Sequence, residues 1–354
     1  MEADKLIYII DYIGNSYNAE PIGHPLKSIK QVDDLLRGEY RVRNAVPLIY
    51  ENKIEIDIKL DYYVDISDKE SESFYRVRSL IKKIKNLKKI FNLNDGILFF
   101  VNTDITLFLY LIFSNKRRKI ITINFNNYLA MNSFTGKLKK IIFKLANEKV
   151  NLQFNTYDLK SREFIPDFYY DSDRNRENIL QNKEVDFLVI GTMNEAKDLI
   201  GIMNAVSNTN YSLRIIGKFY SDIYYNTILH YANNSKNITI VNKYLENDEY
   251  HYEILKAKFV ILPYDINIYK NITSGVFLDA IYNNTPIIAP LTPFFQQFQL
   301  MKIGIIYNDM SEIIDLIKSI DYEELKRNIS IFKEKQSKKI IQNKMLNLIQ
   351  HINK

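Results

Sequence analysis

Short runs rich in β-branched and aromatic residues alternate with stretches of helical apolar spacing along the whole chain. This alternation limits the possible folds more than any other feature, because a strand that is followed by a helix re-enters its sheet in parallel. In the first half the strand candidates are 6–11, 45–50, 54–60, 97–102, 119–125 and 150–155, with helical stretches at 26–37, 74–92, 105–114 and 129–147. The rhythm breaks over 156–183, where Phe164-Ile165-Pro166-Asp167 leads into a polar run from Asp171 to Glu177. A second series follows, with strands at 185–190, 212–216, 237–241, 258–262 and 286–289 and helices at 195–206, 221–233, 248–256, 275–283 and 311–319. The expectation is α/β with two doubly wound, Rossmann-like domains: 1–165, a linker over 166–183, and 184–330. Helical spacing then resumes at Leu325, Ile329, Phe332, Ile340, Ile341, Met345, Leu348 and Ile349, and 331–354 is set apart as a C-terminal helix.

A chain of 354 residues is long enough for two cores. It contains no Cys, which excludes disulfides, thiolate metal sites and Cys nucleophiles and fits a reducing compartment. No basic-then-apolar leader precedes the first strand, and the most apolar run, Ile105 to Phe113, is too short to span a bilayer. A cytoplasmic protein, peripheral at the inner face of the cell membrane, is expected. Charge is uneven: residues 1–165 hold 27 Lys and Arg against 20 Asp and Glu, and within 74–149 the balance is 16 against three. Arg76, Arg78, Lys82, Lys83, Lys85, Lys88 and Lys89 crowd one helical stretch, and Lys116 to Lys119 and Lys137, Lys139, Lys140 and Lys144 repeat the theme. Basicity this concentrated calls for an anionic partner, read here as an anionic membrane surface and not nucleic acid, because no aromatic RNA-binding motif accompanies it. The plainer alternative is a solvated helix face.

Most informative is Asn271-Ile272-Thr273-Ser274-Gly275-Val276-Phe277-Leu278-Asp279-Ala280, followed by Pro286-Ile287-Ile288. It reads as a Ser-Gly turn opening a helix, then an apolar strand. Such a turn offers free backbone N–H groups and the positive end of a helix dipole to a phosphate. Asp279 lies about one turn further on, within reach of a ribose hydroxyl. Taken alone, Ser before Gly is also an ordinary helix cap. Upstream, Gly191 and Thr192 follow a strand and Lys197 stands near a helix start, where an ammonium is disfavoured unless an anion lies between them. Lys218 ends another strand and offers a second cation.

These segments resemble the donor-binding signature of GT-B glycosyltransferases, especially the group in which Glu-x7-Glu precedes Ala and a later Pro-Val-Ile. Asp279-Ala280 stands where the second Glu-Ala would be, Asn271 where the first Glu would be, and Pro286-Ile287-Ile288 for Pro-Val-Ile. Gly191 and Lys197 match that group's Gly-Arg-x4-Lys, with Thr192 in place of Arg. The resemblance implies two domains facing across a cleft, a last helix packing back on the first domain, and diphosphate contacts from Thr273, Ser274, Gly275 and Lys197. It further implies Asp279 on the ribose, Tyr244 near the nucleobase and Tyr264 beside the donor. Both tyrosines are also readable as loop aromatics in a Tyr-rich chain.

In the first domain, His24 lies in the loop after the first strand, where a near-neutral pKa suits a general base toward an acceptor hydroxyl; the bland alternative is a His that bonds its own turn. Asp104 reads as the cap of the next helix. His230, His251 and His351 read as surface residues without metal spacing, and Asp171 with Asp173 as a solvated loop, so no metal and no tightly bound cofactor are expected. The resulting expectation is a glycosyltransferase moving a sugar from a UDP- or GDP-linked donor to a saccharide or lipid-linked acceptor in surface polysaccharide synthesis. The alternatives are a non-catalytic glycosyltransferase-like partner subunit, favoured by Thr192 and Asn271, and a nucleotide-sugar epimerase.

Overall fold

The computed structural model describes residues 6–17, 19–21, 25–65, 67, 72–115, 117–131, 133–166, 183–233, 235–269 and 274–352. The chain divides into two compact units, one formed by 1–169 with 338–354 and the other by 170–337.

The first unit runs β1 (Leu6–Ile10), β2 (Asn15–Tyr17), β3 (Glu20–Pro21), α1 (Pro25–Leu36), β4 (Arg41–Pro47), β5 (Ile58–Leu60), β6 (Val64–Asp65), α2 (Glu72–Ile90), β7 (Ile97–Phe100), α3 (Ile105–Phe113), β8 (Ile120–Asn124), α4 (Phe134–Asn147) and β9 (Leu152–Asn155). Its main sheet has the order β5-β4-β1-β7-β8-β9 with every pair parallel. Alternating side chains of each central strand serve opposite faces. Ile7, Ile9, Ile97 and Phe99 join the core under α1, whereas Tyr8, Ile10, Leu98 and Phe100 join the core under α2, α3 and α4. β2, β3 and β6 form a separate small sheet.

The second unit runs β10 (Val185–Ile190), α5 (Leu199–Ser207), β11 (Leu213–Gly217), α6 (Asp222–Ala232), β12 (Ile238–Asn242), α7 (Asn247–Lys256), β13 (Ala257–Ile261), α8 (Ile266–Tyr269), α9 (Gly275–Tyr282), β14 (Ile287–Pro290), α10 (Pro293–Gln299), β15 (Gly304–Tyr307), α11 (Ile313–Lys318) and α12 (Tyr322–Lys335). Its sheet, β12-β11-β10-β13-β14-β15, is again all parallel, and the order reverses between β10 and β13. In an open α/β sheet, the carboxyl ends beside such a switch point are where ligands bind.

The segment read as one final helical stretch is two helices. Leu325, Ile329 and Phe332 of α12 are buried in the second unit. After Gln336 and Ser337, α13 (Lys338–His351) returns to the first, where Ile341, Met345, Leu348 and Ile349 complete the core around α1. Lys338 pairs with Asp34, and Gln342 donates to the Leu35 carbonyl at the carboxyl end of α1.

Candidate functional site

Four loops meet at the carboxyl ends of β10, β11, β12 and β13. Backbone hydrogen bonds tie them: Gly191 N–H to Ile216, Met193 N–H to Lys218, Lys243 N–H to Gly217, and Asp265 N–H to Ala196. Two glycines make this approach possible. Gly191 has φ +97° and Gly217 φ +152°, and a Cβ on Gly217 would lie 1.8 Å from the Gly191 carbonyl oxygen. Only glycine fits there.

Helix α9 brings its first turn to the same corner. A Cβ built on Gly191 would meet Val276 Cγ2 at 3.5 Å, so the β10 loop faces the start of α9. Ser274 caps α9: its Oγ accepts from Phe277 N–H at 3.1 Å and shares a 2.7 Å hydrogen bond with the Tyr264 hydroxyl. Ser274 is itself buried. With that hydroxyl committed, the turn offers an anion its backbone N–H groups at the half-buried Gly275 and Val276. Tyr264 is fixed from its other side by Tyr269, whose ring stacks on it at 3.9 Å.

Lys197 reaches the same corner from the loop before α5. It is 5% exposed, its Nζ donates to the Ile190 carbonyl at 3.1 Å and lies 3.9 Å from Met193 Sδ. Burial pushes its ammonium down to about 7. A buried cation in contact with neutral groups alone is held at a cost that a nearby anion removes.

Asp279, one turn along α9, is buried, and Tyr250 of α7 donates its hydroxyl to the carboxylate. Burial and then the charge of Asp279 drive the Tyr250 phenol well above its ordinary range. The neighbouring His251, expected at the surface, is half-buried: its Nδ1 lies 2.7 Å from Asn283 Nδ2, and its ring packs on Tyr282. Two consecutive residues of α7 thus hold α9 in place. The sequence reading passes over Tyr250 and takes His251 for a surface residue, because their partners Asp279 and Asn283 lie far along the chain and no local pattern marks the pairing.

Beside this corner, still within the second unit, is a cavity of about 830 Å3 bordered by Lys197, Tyr224, Tyr264 and Tyr307 and by the carboxylates of Asp198, Asp265 and Asp309. The Tyr307 hydroxyl is buried without a hydrogen-bond partner among the described residues. Carboxylates repel a diphosphate and accept hydroxyls, so the two halves of the region differ in what they can hold.

Of the residues singled out from sequence, the structure gathers Gly191, Lys197, Tyr264, Ser274 and Gly275, with Asp279 one turn away. Lys218 contributes its carbonyl to the Met193 N–H, and its side chain is half-buried. Thr192 and Tyr244 are exposed, on the loops after β10 and β12. His24 and Thr273 lie outside the described residues, as do Asn271, Asp171 and Asp173. Asp104 caps α3 through the Thr106 N–H, pairs with Lys83 at 2.6 Å and accepts from the Tyr12 hydroxyl at 2.6 Å. Burial alone would raise its carboxyl, but Lys83 and Tyr12 outweigh that and hold it low. Among the described residues, no group of three or more His, Cys, Asp or Glu could hold a metal ion.

No family model matches the sequence, and no curated protein matches it significantly. Solved structures do. A sucrose-phosphate synthase from Thermosynechococcus elongatus superposes with a TM-score of 0.66 at 13% identity over 99% of both chains. Anabaena HepE, solved in complex with UDP, gives 0.64 at 12% over 98% of this chain and all of its own. A UDP-N-acetylglucosamine 2-epimerase from Listeria monocytogenes, described as putative, gives 0.58 at 11% over 98% and 95%. At such identities the likeness is one of fold, and the fold is that of the GT-B glycosyltransferases, two parallel-sheet α/β domains along the full length of the chain.

Proposed function

We propose that the chain is a glycosyltransferase that takes a sugar from a nucleoside diphosphate donor, UDP- or GDP-linked, held by the second unit. The observation that carries this reading is the convergence of Gly191, buried Lys197 and the first turn of α9 at the sheet's switch point. The diphosphate takes the N–H groups of Gly275 and Val276 and the Lys197 ammonium. Asp279, steadied by Tyr250, accepts a ribose hydroxyl, and Tyr244 and Lys218 lie on the loops nearest the base. The carboxylate-lined cavity next door accepts hydroxyls of the sugar.

In the reaction, an acceptor hydroxyl attacks the anomeric carbon, the bond from that carbon to the β-phosphate oxygen breaks, and the nucleoside diphosphate departs with the electron pair. His24 is the proposed base for the acceptor proton. Positive potential from Lys197 and the α9 amides stabilises the leaving diphosphate where its charge develops. A saccharide or lipid-linked acceptor, and a role in surface polysaccharide synthesis, complete the reading.

Thermal shift with UDP, GDP, CMP and their sugar conjugates tests it. One nucleotide raises Tm, Asp279→Ala abolishes the rise, and the sugar conjugate is consumed when acceptor is added. If no nucleotide binds, the reading falls. Exposed Thr192, where a cation is absent, favours a second reading as a non-catalytic partner subunit, marked by binding without turnover. Because the Listeria epimerase shares the fold, donor conversion without any acceptor would assign epimerisation instead.

A further inference from the structure

The first unit carries an apolar surface turned away from its core. α2, α3 and α4 lie on one face of the first sheet, where Leu87 and Ile90, Leu107 and Phe108, and Phe143 and Ala146 share a single core. α3 packs against both of its neighbours. On α4 the side opposite that core presents Phe134, Leu138, Ile141 and Leu145, each between 55% and 88% exposed. Steps of four, three and four residues set them in one row along the helix. Lys137, Lys140 and Lys144 flank the row, and none of them has a carboxylate partner among the described residues. At the start of α2, Phe74, Val77 and Ile81 repeat the arrangement, all between 49% and 63% exposed. Between the two lies α3, Ile-Thr-Leu-Phe-Leu-Tyr-Leu-Ile-Phe, which contains no charged residue and ends on an exposed Phe113.

Scattered exposed apolar side chains are ordinary, but aligned rows on adjoining helices flanked by ammonium groups are not. They are the composition of helices that lie in a lipid interface, with apolar side chains among the acyl chains and lysines on the head-group phosphates. We propose that the outer face of α2, α3 and α4 inserts shallowly into an anionic lipid bilayer. Charge selects this occupant. Residues 74–149 hold 16 basic and three acidic residues, so a second copy presenting the same face is repelled, whereas an anionic bilayer is attracted. Among the described residues no helix is long and apolar enough to cross a membrane, so the contact is peripheral. The inference rests on the first unit alone and needs nothing from the nucleotide reading.

The test is co-sedimentation of the full chain with vesicles of equimolar phosphatidylglycerol and phosphatidylcholine, or of phosphatidylcholine alone. Binding is expected to the anionic vesicles and at least tenfold more weakly to the neutral ones. A double variant, Leu138→Asp with Ile141→Asp, is expected to bind anionic vesicles at least tenfold more weakly while keeping the wild-type Tm. Phe134→Ser with Leu145→Ser, milder and equally exposed, guards against loss through misfolding, with circular dichroism checking both. Three results would overturn the inference: no sedimentation, unchanged binding of both double variants (adsorption by charge without insertion), or a dimer in sedimentation equilibrium that Leu138→Asp dissociates. Each of these leaves nucleotide binding by the second unit intact, so the two readings fail separately.

Discussion

Replacing Lys197 by Met separates the cost of burying a cation from its use. In the folded chain the ammonium titrates at about 7 in place of 10.5, for reasons of burial alone. That difference sets a ceiling of about 5 kcal/mol on the penalty borne by the charged form. The sign follows from proton counting. Below pH 7 folded and unfolded chains both hold the proton, and the penalty is felt in full. Between about 7 and 10.5 the unfolded chain holds a proton that the folded one has shed, so stability rises with pH across that window. Lys197→Met removes the titration and keeps most of the volume. It is expected to be more stable than wild type at pH 6, by about 1–4 kcal/mol as for other buried charges replaced by apolar groups. The gap should narrow as pH approaches 10. Urea unfolding at pH 6, 7.5 and 9 reads this directly.

The same substitution should damage nucleotide binding. A diphosphate beside Nζ favours the protonated form, so binding at pH 8.5 should take up close to one proton, measured as the dependence of calorimetric enthalpy on buffer ionisation enthalpy. Loss of a hydrogen bond to a charged group is worth about 1.5–3 kcal/mol, or about 10- to 150-fold in Kd. A variant that is stabilised at pH 6 yet binds UDP as tightly as wild type would show that the buried lysine is structural. Binding without proton uptake would place the phosphates elsewhere.

Ser274→Ala removes a helix cap, worth about 1 kcal/mol, and strands the buried Tyr264 hydroxyl at about 1–3 kcal/mol more; a urea-measured loss below about 1 kcal/mol would contradict the geometry around α9. Gly217→Ala drives a methyl into the Gly191 carbonyl at a φ that disfavours side chains, and should cost about 3 kcal/mol or more while weakening UDP binding measured by thermal shift. Met345→Ala, fully buried where α13 joins the first unit, should cost about 2–5 kcal/mol in urea; a loss below about 1 kcal/mol would mean that α13 is not part of that core.

Strands β10 to β14 of the second unit match the expected ranges to within about one residue; the central ones, β10, β13 and β14, are buried on both faces and read as near-continuous apolar runs. β15 and α10 were not anticipated. β15 is a four-residue edge strand, while α10 does carry start signals, Thr292 capping Phe295 N–H and Pro293 in the first turn, which the aromatic run after them obscures. β4 begins at Arg41, four residues before the expected strand, and gives way to a 3-10 turn after Pro47. Its polar start is paired to β1, and buried Asn44 is anchored by its N–H donating to Asp57 and its Nδ2 to the Glu55 carbonyl, partners that no periodicity reveals. The site divides the same way. The Ser-Gly turn and the Gly-x5-Lys spacing are local and were readable, but the hold of Tyr250 and His251 on α9 depends on α7 packing beside it.

Helices α2 and α4 show where apolar spacing misleads by itself. Phe74, Val77, Leu80, Ile81, Ile84, Leu87 and Phe91 form a stripe of the kind that normally marks a core face, yet Leu87 and Phe91 are buried and Phe74, Val77, Leu80 and Ile81 are exposed. The amino-terminal half of α2 meets the core through Tyr75 and the buried Ser79, so Phe74, Val77 and Ile81 fall on the opposite side of the helix. On α4 the divergence is larger, because one narrow set, Phe143 and Ala146, joins the core shared with α3 while the longer apolar row points the opposite way. A helix with two apolar sides separated by lysines has two neighbours to satisfy. The fold supplies the first, and the excess of positive charge around the second specifies the kind of surface that must supply the other.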